Sequence, residues 1–217
     1  MKTRQIHGLG LGEFLIFAPA KEMLKSAYFF SALFVLRDAL VGLPHLEAKK
    51  NKGAKDVECA ESGFTSCDFS YVHNDFYTFI NGDNDIKTLY NHKNRYNNGR
   101  DIEIYRRLPQ GANSLHESIA DIMPYSRRND IFKDKYYKLD ENQICKTITS
   151  HMRFDCNMYI HPWEARGLSP REAARIQTFP DDYVITGSLS SWYAQVGNAV
   201  PVKLAKVIGD AIMKFLL

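Results

Sequence analysis

The tail of the chain places the firmest limit on how it can fold. From Pro201 onward, Leu204, Ile208, Ala211, Ile212 and Phe215 recur at helical spacing along one stripe, while Lys203, Lys206, Asp210 and Lys214 fall mostly outside it. A helix of this kind draws its stability from covering its apolar face, so the stripe must lie against another element or another chain. A second helix signal sits upstream. Ser169-Pro170-Arg171-Glu172 supplies a capping hydroxyl, a proline where a missing N–H costs nothing, and a carboxylate able to reach back to the Ser169 amide. The helix begun there is predicted to run to about Thr178 and to stop before Pro180.

The remainder falls into zones of different texture. Residues 1–50 are apolar and regular: 13–18 predict a buried strand stopped by Pro19, and 27–43 predict a helix ending before Pro44, the character of a layered α/β core. Residues 46–145 turn rich in Asn, Asp, Lys, Arg, Tyr and Phe with few periodic runs, which predicts an irregular α+β region. Order returns at 146, where 146–149 and 158–160 have the β-branched and aromatic content of short strands. Gly187-Ser188 marks a loop, and no internal repeat is visible.

With 217 residues, 45% of them hydrophobic and 24% charged, the chain has globular composition and length for one or two modest domains. A net charge of +3 and a pI near 8.6 suit a polyanionic partner without reaching the pI of about 9 that flags a dedicated nucleic-acid binder. Cys59, Cys67, Cys145 and Cys156 are widely spaced, with no secretory leader ahead of them, and read as reduced thiols of a cytoplasmic protein. The longest nearly apolar stretch, 27–36, is about half of the roughly 20 residues a membrane-spanning helix needs.

The stretch Arg166-Gly167-Leu168-Ser169-Pro170-Arg171-Glu172-Ala173-Ala174-Arg175-Ile176-Gln177-Thr178-Phe179-Pro180-Asp181 closely resembles the ninth conserved motif of DNA cytosine-5 methyltransferases. Gln195-Val196-Gly197-Asn198-Ala199-Val200-Pro201 resembles the tenth, and the amphipathic tail follows it in the family's order. Looser likenesses extend to 146–148, to 159–162, and to 36–44, which is similar to the passage after the eighth motif. Residues 46–130 show no likeness, and in this family the region between motifs eight and nine is where target recognition lies and differs between enzymes.

The resemblance implies a fold and a division of the chain. It implies the end of a Rossmann-like, S-adenosylmethionine-dependent methyltransferase domain over 1–45, a small irregular target-recognition domain over 46–188, and a closing segment over 189–217 that packs back on the catalytic domain. It also implies the chemistry. Such enzymes flip a cytosine out of the duplex, add a cysteine thiolate to C6, hydrogen-bond N3 with a glutamate, and let C5 take the methyl of S-adenosylmethionine.

The residues for that chemistry are missing here. None of the four cysteines follows a proline, as the family's Pro-Cys-Gln requires, and Glu141-Asn142 is followed by Gln143 where Glu-Asn-Val is needed. Gly8-Leu9-Gly10-Leu11-Gly12 precedes a strand instead of following one, so it reads as a turn and not as the cofactor loop. Thr3-Arg4-Gln5 matches the eighth motif poorly.

The expected sites follow from the resemblance. Asn198 and the backbone at Ala199 and Val200 would line part of the S-adenosylmethionine pocket. Arg171, Glu172 and Arg175 would knit the recognition domain together, with Arg171 and Arg175 also candidates for phosphate contact and internal ion pairing the equal reading for Arg175. Arg95, Arg100, Arg106, Arg107, Arg127, Arg128, Lys146 and Thr147 are suited to phosphate anchoring and base-edge readout of double-stranded DNA. Cys59, Cys67, His73 and His92 lack zinc-ligand spacing, and no metal is expected. The chain thus reads as one component of a restriction-modification cytosine methyltransferase. It would be inactive alone and completed by a polypeptide carrying the cofactor loop, Pro-Cys-Gln and Glu-Asn-Val. The alternative is a non-catalytic, sequence-specific DNA-binding module or a truncated remnant.

Overall fold

The computed structural model describes residues 34–52, 57–70, 72, 74–124 and 135–216. The strand expected over 13–18, the turn over 8–12, most of the helix expected over 27–43, and Arg4, His73, Arg127 and Arg128 lie outside them.

The described chain opens with α1 (Leu36–Leu40), which buries Leu36, Ala39 and Leu40. Its first turn is tied down from outside, the amides of Leu36 and Arg37 donating to the carbonyls of Gln143 (3.0 Å) and Glu141 (2.9 Å). In the variable region, β1 (Gly63–Asp68) pairs antiparallel with β2 (Thr88–Lys93), Gly63 facing Lys93 and Asp68 facing Thr88. Gly63 is required at that corner: its φ is +75°, and a Cβ there would lie 2.4 Å from the His92 carbonyl oxygen. Between the strands, α2 (Asp75–Asn81) starts where the Asn74 side chain accepts the Tyr77 amide at 2.6 Å and ends at Gly82, with φ +64°. After β2, α3 (Gly99–Arg107) is capped by Asn98 and buries Ile102, Ile104 and Tyr105.

Two expected strands are absent. Residues 146–149 carry no regular structure, and 158–160 fall at the end of a 3-10 turn, Asn157–Tyr159, followed by single bridges from Ile160 to Lys138 and Gly167. The β-branched and aromatic side chains serve packing here and not a ladder. Ile148 and Tyr159 are buried in the main core, and the Tyr159 hydroxyl donates to the Thr147 carbonyl at 2.9 Å. Another 3-10 turn, Ser150–Arg153, lies between them.

The C-terminal third holds three helices. α4 (Pro170–Ile176) forms with the capping box that its sequence predicts. It ends short of Thr178, which takes a left-handed φ of +58° while Phe179 donates back to the Ala174 carbonyl. α5 (Leu189–Asn198), for which the sequence offers no helix signal, is capped by Ser188 and buries Trp192, Tyr193 and Val196. α6 (Val202–Leu216) is the expected tail helix.

The main core joins Leu36 and Leu40 of α1 with Leu139, Met152 and Tyr159, Ala173 and Ala174 of α4, and Trp192, Tyr193 and Val196 of α5. Each large aliphatic buried there contributes about 1.5–3 kcal/mol. α5 shares this core with residues on both sides of 46. α6 differs: none of its residues is buried. None of the described helices is long and apolar enough to cross a membrane.

Candidate functional site

Beneath the motif at 166–181 lies a sealed set of charges. The Arg166 guanidinium, fully buried, grips the Glu172 carboxylate at 2.6 and 2.8 Å and reaches Glu164 Oε2 at 2.5 Å. The Ser169 amide donates to Glu172 at 2.7 Å, closing the helix cap. Burial alone would raise the Glu172 carboxyl, but Arg166 overrides it and holds it far below the usual carboxylate range.

Two histidines border the cluster. Since Ser169 Oγ accepts the Glu172 amide (3.1 Å), its hydroxyl is free to donate to His92 Nδ1 (2.9 Å), leaving the His92 Nε2–H for the Pro44 carbonyl (2.8 Å). That wiring suits a neutral ring, and burial pushes His92 down to about 4 and His161 to about 3. Donor atoms of His161, Glu164 and Glu172 lie within 4.8 Å of one another, and Arg166 engages both carboxylates in an ion-pair network.

Arg171 and Arg175 are both turned into the interior. Arg171 is fully buried and donates to the carbonyls of Tyr90 (2.7 Å), Pro180 (3.0 Å) and Tyr183. Arg175 clasps Asp181 at 2.7 and 2.6 Å and donates to the carbonyls of Ala39 and Val41. Asp181 is also held by Asn81, which donates at 2.9 Å and accepts the Asp181 amide at 2.8 Å. With their donors turned inward, these arginines have no face for a phosphate. They fasten α4 to β2, α1 and α2, the knitting role the motif implied.

The remaining described candidates lie at or near the surface. Arg106 and Arg107 are exposed on α3, both paired with Glu103 and Arg107 also with Asp121 at 3.0 Å. Arg95 is half-buried, its guanidinium 4.5 Å from the Tyr193 ring and donating to the Arg153 carbonyl at 3.0 Å. Lys146 sits 4.8 Å from the Tyr137 ring, and Thr147 is exposed.

The turn expected to meet S-adenosylmethionine closes α5. Asn198 and Val200 are exposed and Ala199 is half-buried. Sequence reasoning missed Gln177, which holds this turn. Its Nε2 donates to the carbonyls of Val196 (2.6 Å) and Ala199 (3.3 Å), and its own carbonyl accepts the Val202 amide at 3.0 Å. One side chain thus stitches the end of the first motif to the second, a link that no spacing rule would disclose. On the other side, Gly197 rests against backbone: a Cβ would lie 2.4 Å from the Thr149 oxygen and 2.5 Å from the Ser150 nitrogen. Gly197→Ala is expected to cost about 1–3 kcal/mol or more, read as a lower denaturant midpoint. An unchanged midpoint would refute the contact.

Beside this turn, an apolar groove of about 570 Å³ runs between α1, α2 and α6, lined by Phe34, Leu36, Phe76, Phe79, Ile144 and Leu204.

The family model for C-5 cytosine-specific DNA methylase matches residues 50–214. The chain belongs to this family. Its relatives include the type II methyltransferase M.AgeI of Thalassovita gelatinovora, 41% identical over 97 residues, 45% of this chain and 22% of that protein. M.AquIB of Picosynechococcus, also a type II methyltransferase, is 34% identical over 146 residues, 61% of this chain and 95% of that protein. A crystal structure described as a DNA modification methyltransferase encoded within a prophage of E. coli superposes with a TM-score of 0.55 at 22% identity, over 84% of this chain and 47% of that one. The chain thus aligns with about a fifth of the length of the first relatives it matches, 20% and 22%, and with almost all of M.AquIB.

Proposed function

We propose that this chain is the target-recognition and closing component of a type II DNA cytosine-5 methyltransferase, completed by a polypeptide that bears the nucleophilic cysteine and the cofactor loop. The observation that carries this reading is α6. It is a fifteen-residue helix with no buried residue, whose Leu204, Ile208 and Ile212 stay 41–54% exposed beside the apolar groove. A stripe of this size is a surface for another body. The near-complete match to M.AquIB supports it, since that relative is itself a short chain confined to this region.

Asn198 and the turn to Val200 fit one edge of an S-adenosylmethionine site: an exposed polar side chain on a turn held by Gln177. When bound, S-adenosylmethionine supplies the methyl group. In this reading, Asn198 helps hold and orient it, and α6 covers the companion polypeptide's side of the pocket. Arg95, Lys146 and Thr147 anchor the duplex, with Arg106 and Arg107 as further phosphate contacts.

The test is to co-express the chain with a polypeptide carrying Pro-Cys-Gln and Glu-Asn-Val and to follow labelled methyl groups into duplex cytosine. The pair is expected to transfer methyl groups and each chain alone to transfer none. An isolated chain that methylates DNA, or a folded pair that never does, would overturn the proposal. Sequence-specific duplex binding without methyl transfer by any pairing would favour the non-catalytic module.

A further inference from the structure

Near the turn Ser150–Arg153, Arg95, Lys146 and Arg153 sit on aromatic rings and, among the described residues, form no ion pair with a carboxylate. The Arg95 guanidinium lies 4.5 Å from the Tyr193 ring, the Lys146 ammonium 4.8 Å from that of Tyr137 and 5.9 Å from that of Tyr159, and the Arg153 guanidinium 4.6 Å from that of Phe154. By contrast, the exposed Arg37, Arg100, Arg106 and Arg107 each have a carboxylate beside them. A carboxylate neutralises a guanidinium locally, whereas a ring orients it and leaves its charge in place.

The same turn holds Phe154 out into water, 65% exposed, with the His151 ring 5.7 Å from its own and the Arg153 guanidinium 4.6 Å from it. Its backbone is fixed. The Phe154 amide donates to the His151 carbonyl at 2.9 Å, Met152 is fully buried, Arg95 holds the Arg153 carbonyl, and Gly197 presses on Thr149 and Ser150. Asp155, next in the chain, faces Lys135 (3.3 Å) and His151 (3.7 Å). A large ring kept exposed on a rigid, positively charged ridge has the make-up of a nucleic-acid contact: cations for phosphates and an apolar face for a base.

We infer that Arg153 and Phe154 form a DNA-contacting ridge in which Arg153, with Arg95 and Lys146, binds phosphates while Phe154 packs against a base. The inference rests on the DNA-recognition reading above and adds two residues that the sequence did not single out.

The full chain is titrated with a fluorescently labelled, mixed-sequence duplex across a salt series. Arg153→Gln is expected to weaken binding and to lower the slope of log affinity against log salt by about 1. Phe154→Ala is expected to weaken binding by about tenfold with that slope unchanged, because stacking releases no counterions. Lys87→Gln, a control whose partner Asp85 lies 2.5 Å away, is expected to change neither. Both test residues are exposed, so circular dichroism and the thermal midpoint should match the parent.

Parent-like affinity and slope in both variants overturn the ridge while leaving the recognition reading intact. Variants that lose assembly with the catalytic polypeptide, but not DNA, would assign the ridge to protein contact and overturn it too. A parent chain that binds no duplex even at low salt would remove both readings.

Discussion

Glu172→Gln is expected to remove about 3–5 kcal/mol of folding stability, because it leaves the Arg166 guanidinium in the interior without its main counter-charge. The substitution keeps the shape of the side chain and much of the helix cap, so the loss reports charge and not volume. Glu164 remains near Arg166 and holds the effect toward the lower end of that range. Removing both charges together, as R166M with E172Q, should recover a large part of the loss, since an absent ion pair costs less than a broken one. Urea midpoints of the two variants decide the matter. A single variant within about 1 kcal/mol of the parent would show that the pair carries little weight.

Acid should unfold this protein earlier than carboxylate titration alone would require. His92 and His161 are buried neutral with folded values of about 4 and about 3, while an unfolded histidine titrates near about 6.5. Between those limits the unfolded chain binds protons that the folded chain refuses, so stability falls as pH falls. Each histidine contributes a slope of up to about 1.4 kcal/mol per pH unit, or about 3 kcal/mol for His92 between pH 6.5 and 4. Glu172 adds nothing in the upper part of this window. Its folded carboxyl is depressed, so its contribution is full above the ordinary carboxylate range and is lost only in stronger acid. Denaturant titrations at pH 7, 6 and 5 should show a steady decline; a flat profile would mean that the rings accept protons where they stand.

How much of this was legible in the sequence depended on whether a signal was local. The cap at Ser169 and Glu172, and the apolar period from Leu204, rest on neighbours three or four residues apart, and both elements formed as their residues predict. α5 did not read as a helix because Ser190, Ser191, Gly197 and Asn198 weaken its propensity, and burial of Trp192, Tyr193 and Val196 supplies what propensity lacks. Residues 146–149 and 158–160 misled in the opposite way. Their composition suits strands, yet Ile148 and Tyr159 face a core that offers no ladder.

The site divides along the same line. Asn198, Ala199 and Val200 could be named from their motif, whereas Gln177 acts through a fold-back that only tertiary structure creates. Arg171 and Arg175 could be picked out, but not the direction in which they point. Charge in sequence is silent on whether a guanidinium meets water or a buried carbonyl.

α6 also bears on how the chain behaves when it is made in excess. Ile212, Met213, Phe215 and Leu216 stand 54–80% exposed at its end. Surplus copies are therefore expected to adhere to one another as their concentration rises, and added salt would not disperse them, since the attraction is not ionic. Balanced synthesis with a companion that covers the stripe would keep the chain dispersed, which ties its yield to the dose of that companion.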